Sequence, residues 1–107
     1  MYRIAHYLTR DGRDVFQAWM ENLRDRQAQA RIATRIGRLA AGQFGDCKPL
    51  RGGSWELRID YGPGYRIYYA RAGHQMILLL AGGDKRRQNA DIEHATHYWQ
   101  EWQARQT

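Results

Sequence analysis

Acidic residues, lysine, cysteine and long apolar runs are all scarce in these 107 residues. The single cysteine, Cys47, excludes an internal disulfide and fits a reducing cytoplasm. No apolar stretch approaches the roughly 20 residues needed to cross a bilayer. The opening segment, MYRIAHYLTRDGRD, lacks the apolar core of a signal peptide, so no membrane partner is expected. Repeats, low-complexity segments and linkers are also missing, which leaves one domain spanning 1–107. That length buries a core without disulfide or metal. Neither a phosphate-binding glycine loop nor a Ser/His/Asp order is visible, so nucleotide hydrolysis and triad chemistry have no support. The shortage of acid is the informative one. Eleven acidic residues face seventeen basic ones, for a formal charge of +6, and fifteen of those cations are arginine. The planar, permanently charged guanidinium suits forked contact with phosphate, so the balance points to a polyanion such as nucleic acid. A generic basic surface is the plain alternative.

What is present divides into clear segments. Residues 2–8, YRIAHYL, alternate loosely and read as a strand. TRDGRD turns the chain, with Asp11 or Asp14 placed to cap a helix that carries Val15, Phe16, Trp19, Met20 and Leu23 at helical spacing. A second helix, about 25–41, sets Ala28, Ile32, Ile36 and Leu39 on one face and Arg24, Arg31, Arg35 and Arg38 on another, completing a helical hairpin. Residues 42–53 form a loop marked by glycine and proline. Three strands follow. SWELRID (54–60) alternates Trp55, Leu57 and Ile59 against Glu56, Arg58 and Asp60; YGPG (61–64) turns; YRIYYAR (65–71) alternates in the same way. HQMILLLA (74–81) is apolar throughout, as befits a strand covered on both faces. A last helix, about 84–104, bears Ile92, Ala95, Trp99 and Trp102, with Asp84 as a cap. The predicted fold is α+β and two-layered, in the order β-α-α-β-β-β-α, with a small antiparallel-rich sheet packed on the hairpin.

The alternation places Arg58 and Arg66 on one face of adjacent strands, where two guanidinium groups reach one phosphate. Like charges side by side weaken a sheet, so either an anion or a nearby acid such as Glu56 or Asp60 must offset them. The segment GGDKRRQ (82–88) leads from the apolar strand to the same rim. Its glycines permit a sharp turn and close backbone approach, and Lys85, Arg86 and Arg87 open the last helix, with Gln88 and Asp91 within a turn. Cations at a helix start oppose its dipole, which favours a bound phosphate. Arg86, Arg87 and the Arg31/Arg35/Arg38 stripe suit sequence-independent RNA backbone contacts, though such stripes are often only solvated faces. Gln88 suits a base or sugar hydroxyl, and Tyr68 or Tyr98 a splayed base, while Tyr65 reads as core. Asp91 also reads as a partner for Arg87. Trp99 and Trp102 read as core, Cys47 has no role, and the His94/His97 pair is too sparse a ligand set for a metal.

Residues 50–95, with the motifs ELRID, GPGYRIYY and LLLAGGDKRRQNADIEHA, resemble the toxins of the RelE/ParE superfamily of type II toxin–antitoxin modules, in the HigB-like addiction module killer branch. The resemblance implies a small antiparallel sheet on a helical hairpin, with the first strand beside the last. It implies a ribosome-dependent, metal-free endoribonuclease without cofactors. Its catalytic positions map onto Arg58, Arg66, Lys85 and Asp91. Related RNA-cutting toxins often carry tyrosine where this chain has Asp91, and a gyrase-poisoning branch of the same fold lacks the ribonuclease residues. The chemistry so implied is attack of a ribose 2′-OH on the adjacent phosphorus, with cations around the developing phosphorane. The expected partners are the ribosome, mRNA and a neighbouring antitoxin of helix-turn-helix type. The alternatives are a gyrase poison and a non-catalytic antitoxin- or RNA-binding module.

Overall fold

A computed structural model describes residues 1–106. Strand β1 (Arg3–His6) precedes helices α1 (Val15–Glu21) and α2 (Arg26–Ala40), then strands β2 (Cys47–Pro49), β3 (Ser54–Ile59), β4 (Tyr65–Ala72) and β5 (Met76–Asp84), and helix α3 (Gln88–Arg105). The helix starts follow from side-chain capping. The Asp14 carboxylate accepts from the Gln17 amide and that of Asp25 from Gln27 and Ala28, satisfying donors that the first turns leave free.

One sheet runs β1-β5-β4-β3-β2, with β1 parallel to β5 and the remaining pairs antiparallel. The first strand thus lies beside the last, and β5 is internal. β2 is an addition to the predicted order. Three residues are too few to show a period, and a lysine with a proline is what an edge strand carries to discourage further pairing.

The sheet and the α1–α2 hairpin make two layers. Phe16, Ala28, Ile32 and Leu39 pack on Leu57, Ile59, Ile67, Tyr69, Ile77 and Leu79. On the far face α3 adds cover, where Ala95 and Trp99 meet Tyr68, Ala70, Leu78 and Leu80. β5 is apolar on both sides because both sides are covered. Tyr7 ties α3 to the β1 edge. Its buried hydroxyl donates to Glu101 Oε1 at 2.6 Å, and Arg105 holds the other carboxylate oxygen at 2.7 Å. Burial and that acceptor push the Tyr7 phenol up to about 12, so it stays a donor at any ordinary pH. Tyr7→Phe should lower the melting temperature by roughly 5 °C, read by circular dichroism, because a buried charge-assisted hydrogen bond is lost without a change in shape.

β5 extends to Asp84, three residues beyond its predicted end. Gly82 and Gly83 are therefore strand residues opposite Ile67 and Arg66, and neither forms a turn. Their value lies in close approach. A Cβ on Gly82 would lie 2.2 Å from the Trp19 ring of α1, and one on Gly83 would lie 1.9 Å from the Asp91 carboxylate of α3. A bulge sets this arrangement. Tyr68 pairs with Ala81 but Tyr69 with Leu79, so Leu80 is extra and the alternation slips by one. Leu80 and Ala81 both face α3, Gly82 faces α1, and Gly83 returns to the α3 side.

Candidate active site

The site lies on the α3 face, beyond the end of the apolar core. Arg58 and Arg66 are directly paired across the β3–β4 hairpin, and Arg66 is paired in turn with Gly83 of β5. Their side chains thus leave one face of the sheet side by side, from strands about 5 Å apart. Between them lies Glu56, two residues before Arg58 on the same face and wholly buried. Its Oε1 is 3.1 Å from Arg58 Nε and 3.7 Å from Arg66 Nε. Gln88 at the start of α3 donates from Nε2 to Glu56 Oε2 at 2.8 Å. The carboxylate relieves the repulsion expected of the two arginines, yet it leaves both reachable. The Arg58 side chain is 38% exposed and that of Arg66 13%.

Asp84 ends β5 and caps a 3-10 turn, Lys85–Arg87, by accepting from the Arg86 amide at 2.9 Å. Burial pushes the Asp84 carboxyl up, but its hydrogen bonds from Arg86 outweigh this and hold it below the usual range. Lys85, Arg86 and Arg87 are exposed on this turn, ahead of α3, whereas the sequence placed them in the opening turn of that helix. The dipole conflict expected of them is therefore absent, and α3 opens with Gln88–Asp91, placing an acid where the dipole favours one. Lys85 stands beside the β3–β4 turn. A Cβ on Gly64 would touch Arg66 Nη1 at 3.2 Å and Lys85 Cβ at 3.7 Å. A shallow hollow of about 310 Å³ runs over Lys85, Arg86, Arg87 and Gln88.

Asp91 lies over Gly83, the strand partner of Arg66. It does not pair with Arg87: no ion pair among the described residues includes it. Burial raises its carboxyl above the usual range; Arg87 and His94 pull it back, and Asp84 pushes with the burial.

Two groups of expected RNA contacts fall elsewhere. Tyr68 is wholly buried under α3, opposite Glu56, so no base can stack on it. Its hydroxyl has no hydrogen-bond partner among the described residues, and burial, with Glu56 and Asp91, raises its pKa. The alternation that put Tyr68 on the Arg66 face was right, but α3 covers that part of the face. Arg31, Arg35 and Arg38 lie on the hairpin side of the sheet, away from Arg66. They line a groove of about 400 Å³ with Thr34, Ile59 and Asp60. Arg35 Nη1 nonetheless reaches the Arg58 carbonyl at 2.9 Å, and Arg31 lies 4.4 Å from the centre of the Tyr61 ring. Positive charge therefore wraps the end of β3 from one face to the other. Gln88 is only partly available, since its amide already serves Glu56.

Tyr65 is core, Trp99 is buried, and Trp102 stacks on Trp99 with ring centres 5.6 Å apart. Cys47 donates to the Phe44 carbonyl, and burial pushes its thiol up, so it is no ready nucleophile. His94 and His97 flank the Tyr98 ring. Among the described residues no group of three or more His, Cys, Asp or Glu is gathered for a metal ion, and no helix is long and apolar enough to cross a membrane. Glu56 is the functional residue that pattern reading undervalued. Its signal was its spacing, two residues from Arg58 on one face.

A family model described as phage derived protein Gp49-like (DUF891) matches residues 18–99, which include every element of this site. An uncharacterized protein of Haemophilus influenzae (strain ATCC 51907 / DSM 11121 / KW20 / Rd) is 44% identical over 81 residues, covering 76% of this chain and 82% of the relative. With most of its length and all of its cationic site inside that match, this chain belongs to the phage-derived Gp49-like family, a RelE/ParE-like toxin family of toxin–antitoxin modules.

Proposed function

We propose that this chain is a HigB-like toxin that cuts mRNA on the ribosome, without metal, and is silenced by a cognate antitoxin encoded beside it. The observation that carries the reading is the pairing of Arg58 with Arg66 on one face of the sheet, with Lys85 beside the adjoining turn and Asp91, its proton affinity raised, over Gly83, the strand partner of Arg66. RNA brings its own nucleophile. The 2′-oxygen bonds to phosphorus, the bond to the 5′-oxygen breaks, and a 2′,3′-cyclic phosphate remains. Asp91 takes the 2′ proton; Lys85 or solvent returns one to the leaving oxygen. Arg58 and Arg66 hold the charge that gathers on the equatorial oxygens. Arg86 and Arg87 grip the backbone beside the cut, and Arg31, Arg35 and Arg38 face ribosomal RNA around the end of β3, all by contacts indifferent to sequence. The site of action is the cytoplasm, and the antitoxin is a helix-turn-helix protein that covers this basic surface.

Lys85→Ala is the clean test. The side chain is exposed and makes no ion pair among the described residues, so its loss leaves the fold intact. Inducing the chain alone in cells and mapping mRNA 5′ ends should reveal cuts inside translated frames. Lys85→Ala should reduce them about 100-fold or more, the usual cost of a lost charge-stabilising donor. Growth arrest with intact mRNA would shift the reading to gyrase poisoning, and no arrest at all to a binding module.

A further inference from the structure

Glu56 is a poor choice for a structural ion pair. It is wholly buried, and a buried carboxylate with two arginines is often no more stabilising than apolar side chains of the same size. Three side chains from three elements nevertheless converge on it: Arg58 of β3, Arg66 of β4 and Gln88 of α3. Glu56 Oε1 accepts a hydrogen bond from Arg58 Nε, the inner edge of that guanidinium, and faces Arg66 Nε as an ion pair at 3.7 Å, with no hydrogen bond to that nitrogen among the described residues. The Gly64 carbonyl takes Arg66 Nη1 at 2.8 Å. Both terminal nitrogens of Arg58, and Nη2 of Arg66, are left without a protein partner among the described residues.

We infer that Glu56 is a positioning residue that clamps Arg58 by its inner edge and draws Arg66, pinned at Nη1 by Gly64, toward the same carboxylate oxygen, so that their outer edges face one phosphate. The inference rests on the ribonuclease reading above. Arg58 held at Nε and Arg66 held at Nη1, with one carboxylate between them, cannot swing apart, so the two like charges stay together. The arrangement is ready before substrate arrives, and little reorganisation remains for the chemical step. Gln88 fixes the second carboxylate oxygen from the start of α3, so the same contact sets the clamp relative to Asp91, one helical turn on. Glu56 itself touches no substrate, since none of its surface is open.

The role separates binding from cleavage, and Glu56→Gln in the full-length protein tests it. Loss of one negative charge beside the basic face should leave binding to a short unstructured RNA unchanged or about threefold tighter, measured by fluorescence anisotropy across a salt series. Single-turnover cleavage of ribosome-bound mRNA should fall about 100-fold, the cost of mispositioning by an ångström. The Nε–H signal of Arg58 in the nitrogen NMR spectrum should lose its protection from solvent exchange. A parallel loss of binding and cleavage with a collapsed melting temperature would overturn the inference in favour of a purely structural carboxylate. Cleavage within about threefold of the wild type would also overturn it. If wild-type protein does not cut mRNA, the ribonuclease reading fails separately, and an Arg58 Nε–H signal still protected in Glu56→Gln then sinks the clamp too. Should Glu56→Gln not fold, Glu56→Asp keeps the charge but withdraws it by one methylene. It should cost about tenfold in cleavage with RNA binding unchanged, and wild-type cleavage in that variant would refute the clamp.

Discussion

Alanine at Gly82 should destroy the fold's stability, while alanine at Gly83, the next residue, should destroy activity in a protein that still folds. The two positions lie on opposite faces of β5 because successive strand residues alternate, and the slip at Leu80 decides which of them meets which helix. At Gly82 a Cβ meets three atoms of the Trp19 indole at 2.2, 2.4 and 2.6 Å. The ring is rigid and wedged between Phe16 and Tyr65, with ring centres 5.9 and 6.1 Å away, so it cannot rotate aside and α1 must move. Overpacking of this kind costs about 3 kcal/mol. Total stability for a chain of this size is about 5–15 kcal/mol, so the midpoint of thermal unfolding should fall by 12 °C or more, at roughly 4 °C per kcal/mol. At Gly83 the clash is with the end of a short polar side chain, Asp91 Oδ2, which can turn outward toward solvent. The expected cost to stability is about 1 kcal/mol, but Asp91 is pushed from its place over Gly83, and cleavage should fall as far as in Asp91→Ala. Melting curves and mRNA cleavage measured side by side separate the two. A Gly83→Ala protein as active as the wild type would show that Asp91 has no part in the chemistry.

Those glycines also mark where pattern reading stops. That β5 would lie inside the sheet was legible in MILLLA, because only a strand covered on both faces can afford unbroken apolar side chains. The cap at Asp14 and the facing of Arg58 with Arg66 were legible for local reasons: an acid just before an apolar helical period, and a period of two. The bulge was not, since one extra leucine among leucines leaves alternation invisible. Two glycines after a strand read as a turn, because the Trp19 and Asp91 side chains that need the space come from helices distant in sequence. The helical period put Arg31, Arg35 and Arg38 on one stripe, but which side of the sheet the stripe faces depends on the packing of Ala28, Ile32 and Leu39. Glu56 and Tyr68 shared the face of Arg58 and Arg66 in the pattern. Their burial is a tertiary fact, decided by where α3 crosses.

Asp91→Asn should give a protein that is slightly more stable at neutral pH and about 100- to 10,000-fold slower in cleavage, the usual range for a lost general base. The signs follow from one cause. Burial against Gly83 raises the Asp91 carboxyl, and the pull of Arg87 and His94 does not offset it. A carboxyl raised in the folded state stabilises the fold below its unfolded pKa, and that contribution is lost as pH rises through the folded value. At neutral pH the ionised Asp91 is therefore held against the fold's preference, and asparagine removes the conflict. The advantage in melting temperature should shrink and vanish as pH falls below the ordinary aspartate range, where the wild-type carboxyl is protonated too. Catalysis runs the other way, because a base must be ionised to accept the 2′ proton. The wild-type rate should rise with pH through the raised pKa, on an acid limb displaced upward from that of a free aspartate. Arg87→Ala removes a cation that favours the ionised form, so it should displace the limb further up while leaving the plateau within about threefold. Single-turnover rates from pH 4 to 8 (about that span covers the limb) decide the matter. A limb at the position of an unperturbed carboxylate, or an Asn variant that still cuts, would assign the proton transfer to another group. Charge that burdens the fold without an ion pair to offset it is the mark of a group kept for its chemistry, and Asp91, raised by burial and in no ion pair among the described residues, fits that description.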